Sequence, residues 1–166
     1  MWTKTVRSWV CSDFSQIKRS VTNLQKFISS SPAETEQIAA EFAKTLRGGE
    51  VLAFRGGLGM GKTCFTRGLA AGLGIDPAEV SSPTFALVNE YRGGRLPLWH
   101  FDMYRVESFD ALYSTGFFDY LDLGGVLALE WSENIDGALP EGTITITFER
   151  LGDESRSITI EGGAGK

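Results

Sequence analysis

The stretch FRGGLGMGKTCF, Phe54 to Phe65, sets four glycines, a lysine and a threonine within eight residues, directly after an apolar run. Gly56, Gly61, Lys62 and Thr63 fall on the spacing G-x-x-x-x-G-K-[ST], that of a phosphate-binding loop. Polyphosphate needs dense positive partial charge with no bulky side chain in the way. Glycine lets successive backbone N–H groups turn inward to make a concave anion nest. A helix that starts immediately afterwards adds its N-terminal donors and dipole. The main chain of Gly56, Gly57, Leu58, Gly59, Met60 and Gly61 is therefore expected to cradle phosphates. Lys62 would reach the β- and γ-phosphates, and Thr63 would offer its hydroxyl to magnesium.

Working outward, EVLAFR (50–55) reads as a buried strand and KTCFTRGLAAGLG as the helix after the loop. Upstream, SSSPAETEQIAAEFAKTLRGGE reads as a helix capped by Ser30 or Ser31, with Pro32 in its first turn and Glu34 three residues on. Ile38, Ala39, Phe42, Ala43 and Leu46 recur at helical spacing, and Gly48 and Gly49 end it. Downstream, SSPTFALVNEY begins as a loop and becomes a strand near Phe85–Tyr91. RGGR (92–95) is a hairpin turn into the strand LPLWHFD (96–102). Two short helices flank Gly116, VLALE (126–130) is a third core strand, and TITITFE (143–149) with SRSITIE (155–161) alternates as an antiparallel hairpin. This order predicts a three-layer α/β fold of the P-loop NTPase type. Its sheet would be mixed, with a parallel core and antiparallel hairpin additions.

A phosphate loop needs an acid to manage its metal, at the C-terminal end of a neighbouring strand. Asp102 ends LPLWHFD and Glu130 ends VLALE, so both would rise at the edge that carries the loop. The residues alone do not divide metal binding from water orientation between them. In SSPTF (81–85), Thr84 is either a hydroxyl that senses the γ-phosphate or part of an ordinary turn. His100, the only histidine, reads as a structural core residue. Trp131 would pack within the fold or against nucleotide or partner. Cys64 reads as a small buried residue, although a helix N-terminus can lower a thiol pKa.

The chain has 166 residues and a net charge of −5, with 42% hydrophobic and 22% charged residues, within reach of one domain with a real core. The acidic balance does not favour direct nucleic-acid binding, and no apolar run approaches the roughly 20 residues of a membrane span. Two cysteines, Cys11 and Cys64, indicate a reducing compartment, and a cytoplasmic setting is expected. No lysine is followed two residues later by aspartate, which favours ATP over GTP. Arg92 and Arg95 are a thin substitute for the arginine-rich lid of a small-molecule kinase. What is left is a minimal ATPase with little room for its own substrate, suited to act on another protein, with a monomer as the expected state.

Residues 1–30 differ from the rest. They are Ser-rich and carry five basic residues and one acid, a net of +4, against 11 basic and 20 acidic residues in 31–166. They read as a dispensable extension, poorly ordered, before a P-loop ATPase domain at 31–166. A transit peptide, an upstream start codon or an amphipathic helix over about 13–28 are the alternatives.

Taken together, GGLGMGKT, SSPTFALVNEY, HFDMYRV and LALEW resemble the TsaE (YjeE) family, in order and spacing over about residues 31–150. The resemblance implies an ATPase, dependent on ATP and magnesium and needed for threonylcarbamoyladenosine modification of tRNA position 37. It implies action on a TsaB–TsaD-type complex, with tRNA reached only indirectly. It implies that Gly56 through Thr63 hold the phosphates, that Thr63 and Glu130 are metal ligands, that Asp102 is the other functional acid and that Thr84 is a switch-like threonine. The helix start near Pro32–Thr35 matches the segment that approaches the adenine. Met60 stands where the family often has alanine, at a position that contributes mainly its backbone. Two other readings stay open: a small P-loop kinase with an acceptor site near RGGR and the helices after Tyr104, and a nucleotide-sensing interaction module that docks through GFFDYLDLGG.

Overall fold

The computed structural model describes residues 24–162. Its strands are β1 Leu24–Ser29, β2 Val51–Arg55, β3 Val88–Tyr91, β4 Leu98–Asp102, β5 Val126–Glu130, β6 Ile144–Arg150 and β7 Arg156–Glu161. Its α-helices are α1 Pro32–Ala43, α2 Lys62–Leu73, α3 Phe109–Ser114 and α4 Phe117–Leu121. The strands form one sheet in the order β1-β7-β6-β2-β5-β4-β3. β6, β2, β5 and β4 run parallel. β7 and β1 extend one edge in antiparallel pairing, and β3 closes the other edge as a hairpin with β4. This is the mixed sheet expected, with helices on both faces.

The two faces bury separate clusters. On one, α1 and α2 cover Leu52, Phe54, Leu98, Ala128, Ile146 and Ile158. On the other, α3, α4 and the chain after β5 cover Trp99, Phe101, Leu127 and Leu129. Alternate residues of β4 and β5 thus serve opposite faces, as the period-two pleat requires. Phe54 and Phe65, which flank the glycine loop, meet edge-to-face at 5.7 Å, and Phe148 of β6 meets them at 5.7 and 5.5 Å. Each such pair is worth about 0.5–1.5 kcal/mol beyond its buried area. The loop therefore stands on a rigid aromatic base shared by β2, α2 and β6.

Three sequence expectations need correcting. The domain boundary at residue 30/31 cuts off β1, which pairs with β7 from Leu24↔Glu161 to Ser29↔Arg156. Residues 24–28 are therefore strand rather than the end of a helix, and the expectations for residues 1–23 lie outside the described residues. The strand expected from Phe85 begins at Val88, because Leu87 N–H donates to Pro83 O at 2.7 Å and closes a turn first. Helix α1 ends at Ala43, a turn earlier than Gly48 suggests. Its start is as expected: the Ser31 side chain accepts from Glu34 N–H, and Glu34 reaches back to Ser30 N–H at 2.7 Å.

Candidate functional site

The glycine loop leaves the tip of β2 and enters α2 at Lys62. Gly56 has φ 136° and Gly61 has φ 99°, in the region that side chains disfavour. A Cβ at Gly56 would stand 2.8 Å from Phe148 O. The sharp turn and its close approach to β6 both need glycine there.

Lys62 is 5% exposed, and its ammonium donates to Gly56 O at 2.6 Å and Gly57 O at 2.7 Å. Trp131 covers the same ammonium, 4.4 Å from ring centroid to Nζ. The Trp131 backbone turns left-handed at φ 58°, and Tyr104 packs on its ring. Burial pushes Lys62 below its ordinary pKa, against the opposing charges of Glu130, Glu133 and Asp102.

Two strand tips meet beside the loop. Asp102 and Glu130 are register partners across the parallel β4–β5 pair, and each is 5% exposed. Thr63 Oγ1 donates to Glu130 Oε1 at 2.8 Å, which ties the first turn of α2 to the tip of β5. His100 Nε2 lies 2.9 Å from the same oxygen. Burial alone would push the Glu130 carboxyl up. The hydrogen bonds from the His100 ring and the Thr63 hydroxyl, with the positive field of the Lys62 ammonium, outweigh it and hold the group below the ordinary carboxylate range. Asp102 Oδ1 accepts from Tyr104 N–H at 2.9 Å.

The structure therefore brings Lys62, Thr63, Asp102 and Glu130 to one edge of the sheet. Thr84 is not joined to them: it is exposed, and its hydroxyl bonds Ser82 Oγ at 2.9 Å. Its turn is anchored nearby, since Asp102 N–H donates to Leu87 O at 3.0 Å.

Four further residues support the site. Ser132 Oγ donates to Phe54 O at 2.9 Å, and Glu133 accepts from Gly56 N–H at 3.2 Å, so the chain after β5 braces the loop. Arg156 of β7 lies against the loop on its other side, with Nη1 3.4 Å from Met60 O. His100 belongs to the site as well as to the core. Only His100 carries a signal in the sequence, as a lone polar residue in an apolar strand.

Among the described residues no group of three His, Cys, Asp or Glu side chains converges to hold a metal unaided. The site offers hard oxygens, from Thr63 and Glu130, with the Asp102 carboxylate at the neighbouring strand tip. That set fits a cation such as magnesium, which keeps waters and takes further ligands from substrate phosphates. A concavity of about 1170 Å³ lies at the opposite end of the sheet between α1 and the starts of β2 and β6. It is lined by none of residues 56–63, Thr84, Asp102 or Glu130, although Glu34 of the segment expected near the adenine borders it.

Comparison with known proteins places the chain in a family. The sequence model of the family "Threonylcarbamoyl adenosine biosynthesis protein TsaE" matches residues 29–158. The tRNA threonylcarbamoyladenosine biosynthesis protein TsaE of Bacillus subtilis (strain 168) is 42% identical over 135 residues, 81% of this chain and 84% of that protein. Its counterpart in Aquifex aeolicus (strain VF5) is 44% identical over 138 residues, 82% of this chain and 96% of that protein. A crystal structure of Bacillus subtilis YdiB superposes with a TM-score of 0.70 at 35% identity, covering 87% of this chain and 88% of that one. The chain belongs to the TsaE family of tRNA threonylcarbamoyladenosine biosynthesis.

Proposed function

We propose that the chain binds ATP with magnesium at the glycine loop and hydrolyses it to ADP and phosphate, in support of threonylcarbamoyladenosine formation at tRNA position 37. The observation that carries this reading is the 2.8 Å bond from Thr63 Oγ1 to Glu130 Oε1. Thr63 spends its only hydroxyl hydrogen on the acid, which leaves its oxygen lone pairs to face a cation. Magnesium, when bound, neutralises charge on the phosphate oxygens.

The backbone N–H groups of the loop as far as Gly61 and the start of α2 bind phosphate, that of Gly56 on release from Glu133, with Arg156 adding positive charge beside Met60 and Gly61. Lys62 exchanges the carbonyls of Gly56 and Gly57 for β- and γ-phosphate oxygens and follows the charge that develops on the γ-phosphoryl group. Trp131 keeps water from the ammonium. Asp102, at the neighbouring strand tip, orients the attacking water. Thr84 sits in the segment anchored to the start of Asp102 and responds to the γ-phosphate.

The hydrolysis acts on a protein target. The described residues form one sheet with short helices and no second lobe, and the net charge of −5 gives no electrostatic grip on RNA. The target is a TsaB–TsaD-type pair, which contacts tRNA itself, and the chain works as a cytoplasmic monomer. Reconstitution with the TsaB–TsaD pair tests this. Lys62→Ala should abolish modification of tRNA, and undiminished modification would sink the reading.

A further inference from the structure

His100 lies in the middle of β4, opposite Ala128 of β5 and two register pairs short of Asp102 and Glu130, on the same face of the sheet. It is fully buried. Its ring points at the site rather than into the apolar layer: Nε2 is 2.9 Å from Glu130 Oε1.

The hydrogen positions follow from who can accept. An ionised carboxylate accepts only, so the hydrogen of this contact sits on Nε2. Nδ1 is buried and has no partner among the described residues. A second N–H there would be a buried donor without an acceptor, which is unfavourable by about 1–3 kcal/mol. The ring is therefore a donor at Nε2 with a lone pair at Nδ1. Glu130 Oε1 then receives two donors from two elements, Thr63 of α2 and His100 of β4, and its two lone-pair sites are filled. Oε2 makes no hydrogen bond to any described residue.

We propose that His100 is a positioning residue. By donating from Nε2 it fixes the Glu130 carboxylate, so that Oε1 takes the Thr63 hydrogen while Oε2 and the Thr63 lone pairs face the cation that accompanies the nucleotide. This inference rests on the metal-nucleotide reading given above. It separates two functions of one carboxylate: Oε1 orients Thr63, and Oε2 serves the metal. Without the imidazole the carboxylate is free to rotate, and both ligands lose their alignment. Groups that orient metal ligands in this way typically affect metal affinity by about 10- to 100-fold.

The test uses the full chain and two variants. His100→Leu removes the donor and keeps an apolar core residue, whereas His100→Gln keeps an amide donor near the Nε2 position. ADP binding is titrated with magnesium chloride. Leu should raise the magnesium half-saturation by about 10-fold or more, with metal-free ADP affinity little changed and the chain still folded though less stable, and Gln should restore most of the difference. Equal magnesium dependence in wild type and His100→Leu overturns the proposal. So does a His100→Leu chain that loses metal-free binding and folding together with no recovery in Gln, which marks a purely structural residue. A second readout needs no ligand. His100 is the only histidine, so long-range proton–nitrogen NMR reports one imidazole without assignment. The hydrogen should be on Nε2, and Glu130→Gln should shift that resonance. A hydrogen on Nδ1 contradicts the proposal. If wild type binds no ADP at all, the nucleotide reading fails first, and that result is distinct from wild-type binding with an indifferent His100→Leu.

Discussion

Cys64 sits in the first turn after the loop, where free helix amides would lower a thiol pKa, yet its neighbours act in the opposite direction. Its Sγ is 3.2 Å from Pro32 O and 3.7 Å from Glu36 Oε1. Burial, followed by the Glu36 charge, pushes the thiol up to about 11. Relative to an ordinary thiol, that lowers the thiolate fraction near neutral pH by about 100-fold. In a Cys11→Ser background, alkylation of Cys64 at pH 8 should be slower than that of a free thiol by about that factor and should rise steeply toward pH 11. A rate matching the free thiol contradicts this account. Cys64 is thus an unreactive packing residue against the start of α1, half-buried rather than fully buried as the sequence suggests. The loop, Asp102 and Glu130 are legible because each is a local pattern: a fixed spacing, or an acid ending an apolar run. Ser132, Glu133 and Arg156 are not, because each acts on residues 77 to 96 positions away in the chain. The sequence places His100 in the core correctly. Its acceptor lies on the neighbouring strand, so its part in the site depends on sheet register.

Among the elements, α1 and α2 pack closest. A Cβ at Gly68 would stand 2.6 Å from Ala39 Cβ and overlap Glu36 O, and one at Gly72 would stand 2.7 Å from Ala43 Cβ and overlap Ala40 O. Ala39, Ala43, Gly68 and Gly72 therefore form a seam that holds α2, and with it the loop, at a fixed height over the sheet. Alanine is favoured over glycine inside a helix by about 1 kcal/mol. Backbone overlap dominates here, and Gly68→Ala should destabilise the chain by about 1–3 kcal/mol. Urea denaturation would read this, and a more stable variant would contradict the seam. The parallel core strands are legible as short apolar runs bounded by turn residues. β1 is not. Apart from Ser29 and half-buried Phe27 its side chains are exposed, so the strand shows no hydrophobic period. It exists because β7 offers it a ladder, and because Ser29 Oγ meets Thr35 Oγ1 at 2.7 Å at the entry to α1. The turn before β3 is hidden for a similar reason. A left-handed Leu87 at φ 67° follows from tertiary anchoring, not from the residue type.

At the scale of the molecule, the glycine loop and the strand-tip acids lie at the C-terminal edge of the parallel strands, where open α/β sheets bind ligands. The large concavity at the other end is a groove without the expected chemistry. No helix among the described residues is long and apolar enough to cross a membrane. The fold class is legible because the order of elements and the phosphate-loop spacing agree with one another. The assembly of the site is partly legible, since the edge is implied by strand polarity whereas the bonds between Thr63, Glu130 and His100 need the register. The central claim is that main-chain amides of this loop, with Lys62, Thr63 and Glu130, hold a magnesium nucleotide. Calorimetric titration of the full chain with ADP, with and without magnesium, tests it most directly. Wild type should bind one ADP more tightly with magnesium than without. Lys62→Ala should lose about 10- to 100-fold in affinity, as expected for a charge-assisted hydrogen bond of about 1.5–3 kcal/mol. A wild-type chain that binds no ADP, or a Lys62→Ala chain that binds it equally well, would contradict the account.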